Sequence, residues 1–379
     1  MSIRQVNAAE VVSDLGFFDR VIDVRSPAEF AEDHLPGAVN WPVLDDEERK
    51  QVGTLYKQVS PLEARKVGAA MVARNIATHI DRWLRDEPKS WQPLVYCWRG
   101  GQRSGSLAWF LDQIGFRTRQ LAGGYKAFRA VVREELETLP QRFDFRVLAG
   151  RTGSGKTRLL HALAHEGAQV LDLEALACHR GSVLGGIPGT PQPSQKRFDT
   201  VLWERLRAFE PARAVFVESE SAKVGQLRVP ESLIVHIREH GQCLAVQMPD
   251  AARVQLLLED YGFFARDPEA FCRLLDALIE LRGKDTVRAW QALARDGRWA
   301  DVFADLMSRH YDPLYERSMQ RHFSGLAQAR TVGLCDGKPA TLRAVAQRLV
   351  AEAGATVAGP QAGSSVMLEP PLGGGAGEP

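Results

Sequence analysis

Phe145-Arg146-Val147-Leu148-Ala149-Gly150-Arg151-Thr152-Gly153-Ser154-Gly155-Lys156-Thr157 runs directly into Arg158-Leu159-Leu160-His161-Ala162-Leu163-Ala164-His165. An apolar run reading as a strand (Phe143 to Ala149), a turn of the form G-x4-G-K-T and a helix-forming stretch follow one another. That order is the setting in which such a turn grips phosphate. Gly150, Gly153 and Gly155 let backbone N–H groups close around a diphosphate at a helix start. Lys156 neutralises its charge and Thr157 can hold a Mg2+ ion. The loop recognises a polyphosphate rather than a base. A partner carboxylate should end a later buried strand. Val215-Phe216-Val217-Glu218 makes Glu218 the first choice, and Asp172, after Val170-Leu171, is the second.

Outward from this loop, short apolar runs alternate with stretches of helical spacing. Downstream, residues 170–173 and 214–217 read as buried strands, and from about Asp250 through Leu306 the pattern turns helical. Upstream, residues 21–24 and 94–96 read as strands, while 62–84 and 106–114 have helical spacing. Strand–helix alternation predicts parallel sheets covered by helices. The polar helix end at Glu134–Gln141, with its proline, reads as a linker between two units. The expected division is 1–138, 139–353, and a Gly- and Pro-rich disordered tail over 354–379.

The 379 residues suit two domains, and 45% hydrophobic with 25% charged residues is the balance of a soluble globular chain. The start of the chain lacks the pattern of a signal peptide, and no apolar run is long enough for a membrane span. Five cysteines (97, 178, 243, 272 and 335) without CxxC pairing argue for a reducing compartment and against a zinc site. The expectation is a cytoplasmic protein. A net charge of +1 excludes no partner, because nucleic acid is met by local basic patches.

The second informative stretch is Tyr96-Cys97-Trp98-Arg99-Gly100-Gly101-Gln102-Arg103-Ser104, between the strand at 94–96 and the helix that follows. A cysteine there faces converging backbone N–H groups and a helix N-terminus, which should favour the thiolate and an anion beside it. Arg99 and Arg103 can add charge-assisted contacts. The loop resembles the active-site loop of the rhodanese family. Asp23-Val24-Arg25-Ser26-Pro27-Ala28-Glu29-Phe30 with His34-Leu35-Pro36-Gly37-Ala38-Val39-Asn40 is similar to that family's N-terminal signature, and Leu121-Ala122-Gly123-Gly124-Tyr125-Lys126-Ala127-Phe128 to its closing motif. The Cys-x5-Arg spacing is one residue longer than in ordinary sulfurtransferases and gives a cradle sized for a tetrahedral oxyanion, as in rhodanese-like phosphatases.

A rhodanese-like parallel-sheet domain followed by a P-loop NTPase-like α/β domain with a helical C-terminal part is therefore the expected α/β architecture. This pairing resembles the bacterial tRNA 2-selenouridine synthase family. The likeness rests on residues 97–105, 150–157 and 217–232, and on His310-Tyr311-Asp312-Pro313-Leu314-Tyr315, to which no chemical role is assigned. The resemblance implies a tRNA substrate carrying 2-thiouridine at the anticodon wobble position. Geranyl diphosphate would alkylate the sulfur, and selenophosphate would then supply selenium. Both are substrates, and no tightly bound cofactor is expected. Cys97 would attack the selenium donor, carry selenium as a persulfide-like adduct, or act as a thiol nucleophile on the tRNA. Lys126, Arg129, Arg133, Arg142, Arg146, Lys196, Arg197, Arg309, Arg317 and Arg321 are candidate tRNA contacts, and Tyr261-Gly262-Phe263-Phe264 could shelter a geranyl chain. The rival readings are a cysteine phosphatase or sulfurtransferase with a nucleotide-binding module, and a nucleotide switch with an idle rhodanese unit.

Overall fold

The computed structural model describes residues 3–182, 184–187 and 189–357. Strands β1 (Arg4–Val6), β2 (Arg20–Asp23), β3 (Val39–Asn40), β4 (Pro93–Tyr96) and β5 (Arg119–Leu121) form one parallel sheet in the order β1-β5-β4-β2-β3. Strands β6 (Phe145–Ala149), β7 (Gln169–Leu171), β8 (Val215–Glu218), β11 (Gln242–Gln247) and β12 (Arg330–Gly333) form a second, in the order β12-β11-β6-β8-β7, also parallel. Between β8 and β11 lies a small antiparallel ribbon, β9 (Lys223–Val224) with β10 (Leu227–Arg228). Central strands β4 and β8 are buried at every position, which is why they read as unbroken apolar runs. In each large sheet the middle strand, β4 or β6, ends at the loop that the sequence singles out. Ligands of open α/β sheets bind at such carboxyl edges, where the strand order reverses.

The two sheets do not belong to separate cores. One apolar cluster joins Tyr96, Tyr125, Phe128 and Val132 of the first unit to Phe145, Phe198, Trp203 and Val215 of the second. Phe128 and Trp203 meet edge to face at 5.6 Å. The segment expected to be a linker is part of this core. Helix Gly124–Thr138 passes straight into a 3-10 turn over Leu139–Arg142, and Leu136, Leu139 and Pro140 are buried. Ion pairs rim the junction: Arg129 to Asp199 at 2.8 Å, Lys196 to Glu32 at 2.7 Å and Arg207 to Glu135 at 2.7 Å. Arg129 and Lys196, nominated for tRNA, thus hold the two units together, and Arg146 pairs with Asp144. Lys126, Arg133 and Arg142 remain exposed.

One shared core predicts one cooperative unfolding transition. Trp203→Ala should cost about 3–5 kcal/mol and separate the denaturant transitions of the two halves. Two transitions in the unmodified chain would contradict the shared core.

The helical part builds its own core from Phe271, Trp290, Val302, Phe303 and Leu306. The last helix, Pro339–Val357, runs past Gly354, so residues 354–357 are helical where a tail was expected. The rest of that expected tail, 358–379, lies outside the described residues. Among the described residues no helix is long and apolar enough to cross a membrane.

Candidate functional site

Cys97 leaves the end of β4, and helix Gln102–Ile114 begins five residues later. Backbone closeness shapes the turn between them. Gly100 and Gly124 both have positive φ (+66° and +58°). A Cβ on Gly100 would stand 2.5 Å from the Leu121 carbonyl oxygen, and one on Gly124 would collide with the Cys97 carbonyl oxygen. The closing motif is thereby pressed into the cysteine loop, with Tyr125 N–H donating to the Cys97 oxygen (2.8 Å) and Lys126 N–H to that of Trp98 (3.0 Å). Gly124→Ala should therefore cost about 2–5 kcal/mol and lower the melting temperature. An unchanged melting curve would contradict this packing.

The Cys97 sulfur is covered, at 3% exposure, and packs beside Val24, Leu107 and Ala108. Its polar neighbour is Ser104, whose Oγ lies 3.2 Å from Sγ. Gln120 Nε2 donates to that same hydroxyl at 2.9 Å and to the Gly100 carbonyl at 2.9 Å. With Gln120 donating into its oxygen, the serine proton is free to point at the sulfur or at the Gly101 carbonyl (3.2 Å). Neither Ser104 nor Gln120 was singled out by sequence. A serine in the first turn of the helix after the cysteine was the available signal for the first, and nothing local marked the second.

Arg99 is exposed and makes no hydrogen bond or ion pair among the described residues. Arg103 was expected beside the thiol. Its guanidinium pairs with Glu29 at 2.7 Å, part of the N-terminal signature. The same signature buries Arg25, which pairs with Asp23 at 2.6 Å and lies 4.0 Å over the Tyr125 ring. Those two charges tie the signature to the closing motif.

At the second loop, Gly153 and Gly155 take positive φ (+76° and +82°), and helix Lys156–His165 starts directly afterwards. A Cβ on Gly150 would stand 2.5 Å from Ser154 Oγ and 2.7 Å from the Val246 carbonyl oxygen. Lys156 Nζ donates to the carbonyls of Gly150 (2.6 Å) and Arg151 (3.3 Å). The stretch at 310–315 now has a place. The Tyr315 hydroxyl accepts from Gly150 N–H, meets Ser219 Oγ at 3.1 Å, and its ring lies 5.5 Å from Lys156 Nζ. Asp312 takes the buried Arg253 at 2.6 Å, and Arg253 in turn donates to the Thr152 carbonyl at 2.7 Å. The motif braces the phosphate loop from outside, across a π-helical turn over Met307–Tyr311.

Buried carboxylates face Lys156. Glu218 closes β8 at 5% exposure, and its Oε1 has no hydrogen-bond partner among the described residues. Burial pushes its pKa up to about 7 against the pull of Lys156. Burial, with Glu218 and Glu220 nearby, takes Glu174 up to about 9, and burial raises Glu220 as well. Asp172 holds His161 Nε2 at 2.7 Å. These groups line a cleft of about 880 Å³ together with Thr157, Tyr261 and Tyr311. No residue of the cysteine loop lines it.

Both raised acids ionise near 4.5 when freed by unfolding, and only at about 7 and about 9 in the fold. The unfolded chain therefore releases these protons first as pH rises. The stability they favour is complete below pH 4.5 and is lost as pH climbs through those folded values. Glu174→Gln should flatten this decline in a series of thermal melts between pH 5 and 9. A slope identical to that of the unmodified chain would show that Glu174 is not the group responsible.

Residues 7–131 match the rhodanese-like domain, and residues 143–274 match the tRNA 2-selenouridine synthase AAA domain. The tRNA 2-selenouridine synthase of Hydrogenovibrio crunogenus is 34% identical over 328 residues, covering 79% of this chain and 89% of that one. That of Sulfurovum sp. is 32% identical, covering 80% and 90%. That of Nitrosomonas europaea is 40% identical over a shorter span, 64% of this chain and 63% of the relative. With both of its loops inside matched domains and two of these relatives covered to 89% and 90% of their length, the chain belongs to the tRNA 2-selenouridine synthase family.

Proposed function

We propose that this protein is a tRNA-modifying selenotransferase of the cytoplasm, converting wobble 2-thiouridine into 2-selenouridine through an S-geranylated intermediate. The phosphate loop binds geranyl diphosphate, and the cysteine loop serves the exchange of sulfur for selenium from selenophosphate. The observation that carries this reading is that Tyr96, next to the hydrogen-bonded thiol, and Ala149, next to the diphosphate grip, belong to one continuous core.

The chemistry balances without an oxidant. The thiocarbonyl sulfur attacks C1 of the geranyl group, the C–O bond breaks, and its electron pair leaves on diphosphate. The uridine N3 proton is released. Lys156 and the N–H groups of residues 153–157 stabilise the departing charge. S-alkylation makes the sulfur a leaving group. Cys97 then adds to C2 and expels geranyl thiol, taking up the charge with the Ser104 hydroxyl beside its sulfur. Selenium of selenophosphate displaces Cys97, and hydrolysis of the P–Se bond leaves the selenocarbonyl.

Among the described residues no cluster of three or more His, Cys, Asp or Glu side chains has a metal-holding arrangement. Thr157 and Glu218, whose Oε1 has no hydrogen-bond partner among the described residues, would hold a Mg2+ ion. Bound there, Mg2+ would add positive charge beside the leaving group.

Mass spectrometry of nucleosides from tRNA of cells with and without the protein tests the proposal. Loss of 2-selenouridine and S-geranyl-2-thiouridine together is the expected result. Persistence of either one in cells lacking the protein would reject it.

A further inference from the structure

The phosphate loop has a second neighbour besides the acidic cleft. A small pocket opens beside Thr152 of the loop, and Leu257, Tyr261 and Tyr311 line both it and the main cleft. Its far wall is Phe303 and Leu306, from helix Trp299–Leu306, and Met307, which opens the π-helical turn. All three are buried, at 4%, 1% and 3% exposure. The pocket is therefore a side branch of the diphosphate cleft: its polar residues, Thr152, Ser182, Tyr261 and Tyr311, are ones it shares with the cleft, and the residues it does not share, Leu184, Phe303, Leu306 and Met307, are all apolar.

This lining bears on the class of molecule whose diphosphate the loop holds. A nucleobase buried at the end of a diphosphate needs hydrogen-bond partners for its ring edge, because unpaired polar groups in an apolar pocket are costly. The wall of Phe303, Leu306 and Met307 offers none, while an isoprenoid needs none. The pocket's volume, about 20 Å³, is no larger than a terminal methyl group requires. A chain laid along the 880 Å³ cleft would thus end against Phe303 and Met307. Met307 is the adaptable part of that wall, an unbranched side chain at a helix irregularity.

We infer that the side pocket formed by Leu257, Tyr261, Phe303, Leu306, Met307 and Tyr311 receives the end of an isoprenoid chain whose diphosphate sits on the phosphate loop, and that Phe303 and Met307 limit its length. This rests on the proposed use of a prenyl diphosphate and adds the residues that choose among prenyl diphosphates. The chain crosses from Lys156 past Leu257 and Tyr261 and stops at the Phe303–Met307 wall. The wall stops a chain from extending further along this branch, so a third isoprene unit is disfavoured there until that wall is cut back.

Calorimetric titration of the full chain with Mg2+ and, separately, inorganic pyrophosphate, geranyl diphosphate, farnesyl diphosphate and ATP tests this. Each apolar carbon moved from water is worth enough that the geranyl chain should tighten binding at least about tenfold over pyrophosphate. Met307→Ala should shift the ratio of farnesyl to geranyl affinity upward by roughly tenfold, leaving pyrophosphate binding unchanged. Phe303→Ala should do so further. Because Phe303 is a core residue, Met307→Ala carries the test should that variant fail to fold. Geranyl diphosphate binding no tighter than pyrophosphate would overturn the prenyl reading itself, as would ATP binding tighter than both. Tight geranyl binding with an unaltered chain-length ratio in Met307→Ala would overturn the pocket assignment and leave the prenyl reading standing.

Discussion

Cys97→Ser is expected to stop selenium incorporation while geranylation continues. A serine hydroxyl is far less ionised than a thiol and is a poorer leaving group when selenium displaces it, so both halves of the exchange suffer. Loss of a covalent nucleophile typically costs roughly 10³-fold or more. Serine also fits the site, since the sulfur's neighbours are a Ser104 hydroxyl at 3.2 Å and a tight apolar surround. The fold should therefore survive, and the deficit can be read as chemistry. The diphosphate cleft shares no lining residue with the cysteine loop, so the first step should be untouched. Reaction of the variant with 2-thiouridine tRNA, geranyl diphosphate and selenophosphate should accumulate S-geranyl-2-thiouridine. A normal yield of 2-selenouridine would remove Cys97 from the mechanism.

Lys156→Ala should have the complementary effect. The ammonium bonds to the Gly150 and Arg151 carbonyls, inside the loop that would hold the departing diphosphate. Its removal also leaves Glu174, Glu218 and Glu220 without the charge that opposes their mutual repulsion. Diphosphate would meet an acidic cleft whose remaining arginines, Arg158 and Arg180, are held by Asp260. Loss of a transition-state charge contact in such a site costs roughly 10²–10³-fold in rate. Neither S-geranyl-2-thiouridine nor 2-selenouridine should form above that residual rate when the alkylated tRNA is not supplied. Supplied with pre-geranylated tRNA, the variant should still exchange selenium, because its cysteine loop is intact. Failure of that rescue would mean that the phosphate loop serves both steps.

The parts legible in sequence were those written in consecutive residues. The G-x4-G-K-T turn, the loop after Tyr96 and the Gly123-Gly124 closing motif each encode a backbone path that only glycine or a fixed spacing permits. The structure places all of them at carboxyl edges of parallel strands. Long-range contacts were not legible. Tyr315 reaches Gly150 across 165 residues, and Arg253 reaches Thr152 across 101. Neither end of such a pair carries a mark of the other. Charge was equally mute about partnership. Arg103, Arg129 and Lys196 look like free cations in the chain, yet Glu29, Asp199 and Glu32 hold them. Glu134–Gln141 misled for a related reason. Its polar residues suggested a linker, while Leu136, Leu139 and Pro140 were spaced to enter a core contributed mostly by other segments.

The central claim is that two loops flanking one shared core act in order on one uridine. A time course with purified protein and 2-thiouridine tRNA, read by nucleoside mass spectrometry with geranyl diphosphate supplied or withheld, tests it most directly. With both donors present, S-geranyl-2-thiouridine should rise first and decay as 2-selenouridine grows, and without geranyl diphosphate neither should form. Production of 2-selenouridine at an undiminished rate from selenophosphate alone would contradict the account.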